Sequence, residues 1–336
     1  MDKLVLFNNT SKNKLLNKRT GETKFGQHAK TLTSISNIYE QLKNLDVQYV
    51  IFGIPNGVKK TKSSANTKFS STWEAALDAI LNIQNNKYIK AKEVLILGHL
   101  DFNSEINLIS NLNPIKKNKQ KKTRDLIEKM DSYVSNLVYQ IVASGKKPII
   151  IGGNRCHAYG NIKGSALALN SAVNAINLNA QPSFKPKENN SINCGFSNAF
   201  AEGFLDRCFF FGLHENYTAE KTLDTINKVK AIKYNTFENI EIRKDLELNS
   251  EMERALKHVS KTAFGIEIDC NAIKDLPNSA VTPSGFSVNQ ARTLVSYFGN
   301  HDNAQYLHIS EVSTKKKTAK HVGNFITYLI TDFIKA

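Results

Sequence analysis

The chain has 336 residues and a mass of 37.6 kDa, with 41% hydrophobic and 22% charged residues; these proportions exclude a disordered or fibrous protein and leave room for one large α/β domain or two smaller ones. Basic residues outnumber acidic ones 45 to 30, a formal charge of +15, but the lysine runs at Lys59, Lys60 and Lys62, from Lys116 to Arg124, and at Lys315 to Lys317 lack interleaved aromatics and any nucleic-acid motif, so they read as solvated loops. The opening apolar run, Leu4 to Phe7, is too short for a signal-peptide core, no later stretch is long enough for a bilayer, and Cys156, Cys194, Cys208 and Cys270 form no CxxC pair, so the expected setting is a reducing cytoplasm without membrane attachment.

In chain order, residues 1–35 are polar with little periodicity and are expected to form an irregular arm packed on the body. Eight short runs rich in Val, Ile and Phe follow: Val47 to Gly53, Glu93 to Gly98, Lys147 to Gly152, Val173 to Leu178, Arg207 to Gly212, Val229 to Tyr234, Ala263 to Asp269, and Gln305 to Ser310. Near-continuous apolar runs of this length suit strands buried on both faces. Between them the pattern predicts helices over Ser71 to Asn85, Thr123 to Ser144, Ala158 to Asn170, Ser250 to Lys261 and Ser287 to Phe298. Thr123 and Ser250 read as helix starts, the latter with Glu253 at capping-box spacing. No repeat, low-complexity block or Pro/Gly-rich linker divides the chain. The predicted architecture is a single α/β domain, three-layer α/β/α, with a doubly wound and mostly parallel sheet of about eight strands.

In such a sheet, ligands bind beyond the carboxyl ends of the strands. Three loops there stand out: Gly152-Gly153-Asn154-Arg155-Cys156-His157 after the third run, Asn179-Ala180-Gln181-Pro182-Ser183 after the fourth, and Gly265-Ile266-Glu267-Ile268-Asp269 closing the seventh. Tyr159-Gly160, Ile176-Asn177-Leu178 and the segment from Leu307 to Val312 add further matching positions. Upstream, so do Gly53-Ile54-Pro55, Trp73-Glu74-Ala75, Leu81 to Gln84 and Val94 to Gly98. Together these resemble the ureohydrolase family of arginase, agmatinase and formimidoylglutamase, most of all the formimidoylglutamase branch, over most of the chain beyond about residue 45. The resemblance implies an arginase-like fold. It also implies two manganese ions that activate a bridging hydroxide for attack on an amidine or guanidine carbon.

In that family the three loops carry Gly-Gly-x-His, Asp-Ala-His-x-Asp and Ser-x-Asp-x-Asp, so the positions implied as metal ligands are Arg155, Asn179, Gln181, Ser183, Glu267 and Asp269. Only Asp269 keeps the family residue. Arg155 is a permanent cation without a lone pair to donate, and Asn179, Gln181 and Ser183 offer neutral oxygens alone. Glu267 keeps its charge but moves the carboxylate by a methylene. The expectation is a degenerate site without metal, in which the Arg155 guanidinium pairs with Glu267 and Asp269 in place of the ions. A zinc site from Cys156, His157, Cys270 and Cys194 is a weaker alternative, and His214 has the same standing.

Glu311 stands where the family's glutamate recognises the substrate's cationic end, so a small cationic ligand is the implied partner; Ser313-Thr314 replaces the expected Asn-Pro. The favoured reading is a ureohydrolase-fold pseudoenzyme that binds, regulates or scaffolds, within a homo-oligomer as its relatives are. An active metal-dependent C–N hydrolase of formimidoylglutamate or a related guanidino compound is the alternative. Nucleic-acid or acidic-partner binding through the lysine clusters is the third.

Overall fold

The computed structural model of the protein describes residues 2–55, 71–112, 119–184, 195–277 and 282–335. Nine strands form one sheet: β1 (Leu4–Leu6), β2 (Tyr49–Ile54), β3 (Val94–Leu100), β4 (Lys147–Gly152), β5 (Val173–Leu178), β6 (Leu205–Leu213), β7 (Ile232–Thr236), β8 (Phe264–Asp269) and β9 (Ala304–Ser310). Their spatial order is β1-β3-β2-β4-β9-β8-β5-β6-β7, and every pairing is parallel except β1 with β3. Helices cover both faces, so this is the expected three-layer, doubly wound architecture.

Each of the eight predicted strands is present. The first 35 residues pack on the body as expected, but part of this arm is regular. Leu4–Leu6 adds an antiparallel strand to the edge of β3, Asn9–Leu15 and Phe25–His28 are helical, and Phe25 is fully buried in the core. A three-residue strand is too short to show an alternation, and its pairing comes from the edge of β3, nearly a hundred residues away.

Of the five predicted helices, Thr72–Asn82 and Val288–Gly299 begin at capping boxes, Ser71 with Glu74 and Ser287 with Gln290. Two predicted starts are wrong. The helix read as opening at Thr123 already runs from Lys119 to Ala143, and Thr123 is a buried interior residue. The helix assigned to a Ser250 box is Leu248–Val259, opened by extended backbone at Glu247.

The two faces of the central strands differ. Ile149 and Ile151 of β4, Ile176 and Leu178 of β5, Ile266 and Ile268 of β8, and Leu307 and Ile309 of β9 lie in the largest apolar cluster, under the C-terminal helix Ala319–Lys335. The register aligns Asn177 with Glu267, Glu267 with His308, and Asp269 with Ser310. Side chains alternate along a strand, so these polar residues share the opposite face. All of them are buried, and helix Ala158–Leu169 covers that face through Asn161. Of the described residues, no helix is long and apolar enough to cross a membrane.

Candidate functional site

The site lies at the carboxyl ends of β4, β9, β8 and β5. Gly152 and Gly153 leave β4 with φ of 89° and 77°, turning the chain into the short 3-10 turn Arg155–His157. That turn sends consecutive side chains to different places. Arg155 reaches toward the end of β8, where its Nε lies 3.3 Å from Asp269 Oδ2, and it meets Glu311 Oε1 at 3.6 Å. Glu311 Oε1 also accepts a 2.9 Å hydrogen bond from the Arg155 backbone N–H. Glu311 adopts a left-handed φ of 61°, uncommon outside glycine, and its own N–H donates to the Gly153 carbonyl at 3.2 Å. The turn after β4 and the turn after β9 are thus tied together around the guanidinium.

Asp269 is fully buried, and burial pushes its carboxyl up to about 7; the nearby Arg155 charge pulls it back only in part, and Glu311 adds to the rise. The 3.3 Å contact is a charge contact and not an aligned hydrogen bond, since Arg155 Nε and Asp269 Oδ2 have no hydrogen-bond partner. This misalignment explains why burial prevails over the ion pair. Asp269 Oδ1 accepts from the Asn271 N–H at 2.8 Å, which fixes the rotamer.

Glu267 does not pair with Arg155, contrary to expectation. Its Oε2 lies 2.5 Å from His308 Nδ1, and Asn161 Nδ2 donates to its Oε1 at 3.2 Å. His308 Nε2 lies 3.0 Å from the Gly152 carbonyl, which can only accept. Burial alone would lower the His308 pKa, but the Glu267 charge and hydrogen bond, with the carbonyl, outweigh it and the net direction is up. Through its two ring nitrogens His308 therefore clamps β9 to Glu267 of β8 and to the Gly152 carbonyl of β4. His308 was missed in the sequence because it sits inside an apolar run. The available signal was its place two residues before Ser310, in the alternation that also sets Glu267 beside Asp269.

Beyond β5, Asn179 Nδ2 donates to Asn177 Oδ1 at 3.1 Å and to Ser183 Oγ at 3.0 Å, and Asn179 Oδ1 accepts from the Gln181 backbone N–H at 2.9 Å. Asn179 and Ser183 are buried, while Gln181 is half-buried. The structure therefore brings Arg155, Asp269 and Glu311 into one cluster, Glu267 into a second with His308, and Asn179, Gln181 and Ser183 into an amide turn.

The described residues do not support the zinc alternative. His157 Nδ1 is 2.9 Å from Asp131 Oδ1, and burial pushes the Cys156 and Cys270 thiols far above their ordinary range. Cys194 lies outside the described residues. Among those residues, no three His, Cys, Asp or Glu side chains are grouped to hold a metal ion. His214 is buried between the stacked rings of Tyr217 and Phe237 with its Nε2 unpartnered, and burial lowers its pKa. Of the basic runs, Lys121, Lys122, Arg124 and Lys315 to Lys317 are exposed; Lys59, Lys60, Lys62, Lys116 and Lys117 lie outside the described residues.

Comparison with protein families matches residues 47–333 to the arginase family. Among curated proteins, formimidoylglutamase of Streptococcus pyogenes serotype M3 is 24% identical over 217 residues, 61% of this chain and 66% of that protein, so the match spans just under two thirds of the relative's length. Among solved structures, formimidoylglutamase from Bacillus subtilis superposes with a TM-score of 0.69 at 14% identity, covering 95% of this chain and 94% of the other. Trypanosoma cruzi formiminoglutamase with Mn2+2 gives 0.65 at 14% identity, covering 94% and 99%. Arginase from Bacillus caldovelox gives 0.63 at 15% identity, covering 85% and 98%. At these identities the structural likeness carries the fold.

Proposed function

This chain belongs to the arginase family, and from that premise we propose that it is a ureohydrolase-fold protein without the binuclear manganese centre and without the hydrolysis that centre supports. It acts as a binding, regulatory or scaffold protein in the cytoplasm. The observation that carries this reading is the position of Arg155, whose guanidinium lies against Asp269 and Glu311 at 3.3 and 3.6 Å.

The donor chemistry supports it. A divalent transition metal needs several anionic oxygens and neutral imidazoles with free lone pairs. Here Arg155 brings a positive charge to the mouth, the Glu267 carboxylate is committed to His308 and Asn161, and the amide of Asn179 is taken up on both its oxygen and its nitrogen. These side chains do not fit a pair of manganese ions. Glu311 already accepts from Arg155, so a small cationic ligand at this carboxylate has to compete with a guanidinium that is covalently part of the chain.

The relatives' name favours a second reading, an active hydrolase of formimidoylglutamate. Incubating the purified protein with manganese and with formimidoylglutamate, arginine or agmatine separates the two. The proposal expects no release of formamide or urea above the buffer rate, whereas manganese-dependent turnover of any one substrate overturns it.

A further inference from the structure

The turn that sends Arg155 to the β8 end sends His157 the other way, to the edge of a cavity of about 250 Å³ beyond the ends of β2, β3 and β4. Its walls are mostly apolar, chiefly Ile54, Phe102 and Ile109, with Ser110, Thr123 and Asn154 as polar members. His157 is 4% exposed, its Nδ1 lies 2.9 Å from Oδ1 of the likewise buried Asp131, and its ring stacks on Phe102 with centroids 6.2 Å apart. Backbone shape makes room for this ring: a Cβ on Gly153, at φ 77°, would meet His157 Cδ2 at 2.6 Å.

Burying an imidazole and a carboxylate beside an aliphatic cavity is unfavourable unless their polar atoms are satisfied. As a carboxylate Asp131 can only accept, so Nδ1–H donates to it and the neutral ring keeps a lone pair on Nε2. With Nδ1 committed, Nε2 is the ring atom left for a ligand. It asks for a hydrogen-bond donor, and the surrounding isoleucines ask for an apolar body. A dry cavity of ~150 Å³ lined by such residues accepts benzene, and pockets for drug-sized ligands begin near ~300 Å³, so the occupant is of intermediate size.

We propose that this cavity binds a small molecule with an apolar body and a single hydroxyl group, of about the size of a phenol, whose hydroxyl donates to His157 Nε2. The site is separate from the Arg155 cluster and does not depend on how that cluster is read. Cys156 also lines the cavity, but its buried, protonated thiol is no nucleophile, so binding without covalent chemistry is the assignment.

The test uses the full chain and two probes of the same shape, p-cresol and toluene, titrated by calorimetry with the imidazole nitrogen resonances followed by NMR. p-Cresol is expected to bind about tenfold tighter than toluene, equivalent to ~1.4 kcal/mol, and only p-cresol is expected to shift His157 Nε2. His157→Phe should abolish the preference. Ile109→Trp, which leaves the His157–Asp131 pair intact but fills the cavity, should abolish binding of both probes and covers the case in which the first variant does not fold. Equal affinities in the wild type, no binding of either probe, or a preference that survives in either variant overturns the proposal.

Discussion

Arg155 and Asp269 form the contact on which the site's charge balance turns, and the two can be separated by substitution. Arg155→Met keeps much of the side chain's volume but leaves Asp269 and Glu311 facing each other without the guanidinium. Removing one partner of a buried pair costs about 3 kcal/mol, and urea unfolding should report a loss of that order. Asp269 also predicts a pH dependence with a definite sign. Its carboxyl titrates near 7 in the folded chain and near its ordinary value of 3.8 when unfolded, so between these values the folded state holds a proton that the unfolded state has released. Stability from this group is complete below about pH 4 and is lost as pH rises through 7, at a slope of at most about 1.4 kcal/mol per pH unit. Asp269→Asn keeps the oxygen that accepts from Asn271 and removes the titration, so it should flatten that slope. A wild-type stability that does not fall relative to that of Asp269→Asn between pH 4 and 7 contradicts the placement of this carboxylate. At this scale much was legible: the substituted loops and the cationic character of Arg155 follow from residue identity. The partner of Glu267 was not, because a glutamate on β8 meets whatever residue the register of β9 places opposite it, and that residue is His308.

The register of β8 on β9 makes a further demand at the level of the strands. Gly265 lies opposite Tyr306, and a Cβ there would stand 2.0 Å from the ring carbon Cζ of this fully buried tyrosine. The ring sits in a packed core and cannot swing clear, so Gly265→Ala should destabilise by about 1–3 kcal/mol through overpacking. A thermal melt that matches wild type would show that the register is wrong. Strand positions were legible because each run is short, apolar and β-branched, and the two helix ranges read from Ser71 and from Ser287 begin at the residues that cap those helices. Strand β1 was hidden because three residues carry no period, and the Ser250 start failed because capping-box residues also occur one turn inside a helix. The polar face of the central strands was written in the alternation of Asn177 with Asn179, Glu267 with Asp269 and His308 with Ser310, set within runs that otherwise read as uniformly apolar.

For the whole molecule, the alternation of strands and helices dictated a parallel α/β sheet but not its order. The arrangement β4-β9-β8-β5 inserts the last two strands between two earlier ones. No local feature of the sequence encodes such an insertion, because it depends on pairings of residues far apart in the chain, Ile149 with Leu307 and Asn174 with Phe264. That insertion creates the crevice where loops from distant parts of the chain converge, the place in which open α/β sheets carry their ligands. In this protein the crevice holds an internal cation, Arg155 against Asp269 and Glu311, beside the paired Glu267 and His308. If the chain supplies its own positive charge, neither its folding nor its stability depends on added metal. The most direct measurement is the manganese content of protein purified from manganese-supplemented cells, together with its thermal unfolding before and after chelation. The account predicts far less than one manganese per chain and an unchanged melting temperature; two manganese ions per chain, with a melting temperature that falls on chelation, would contradict it.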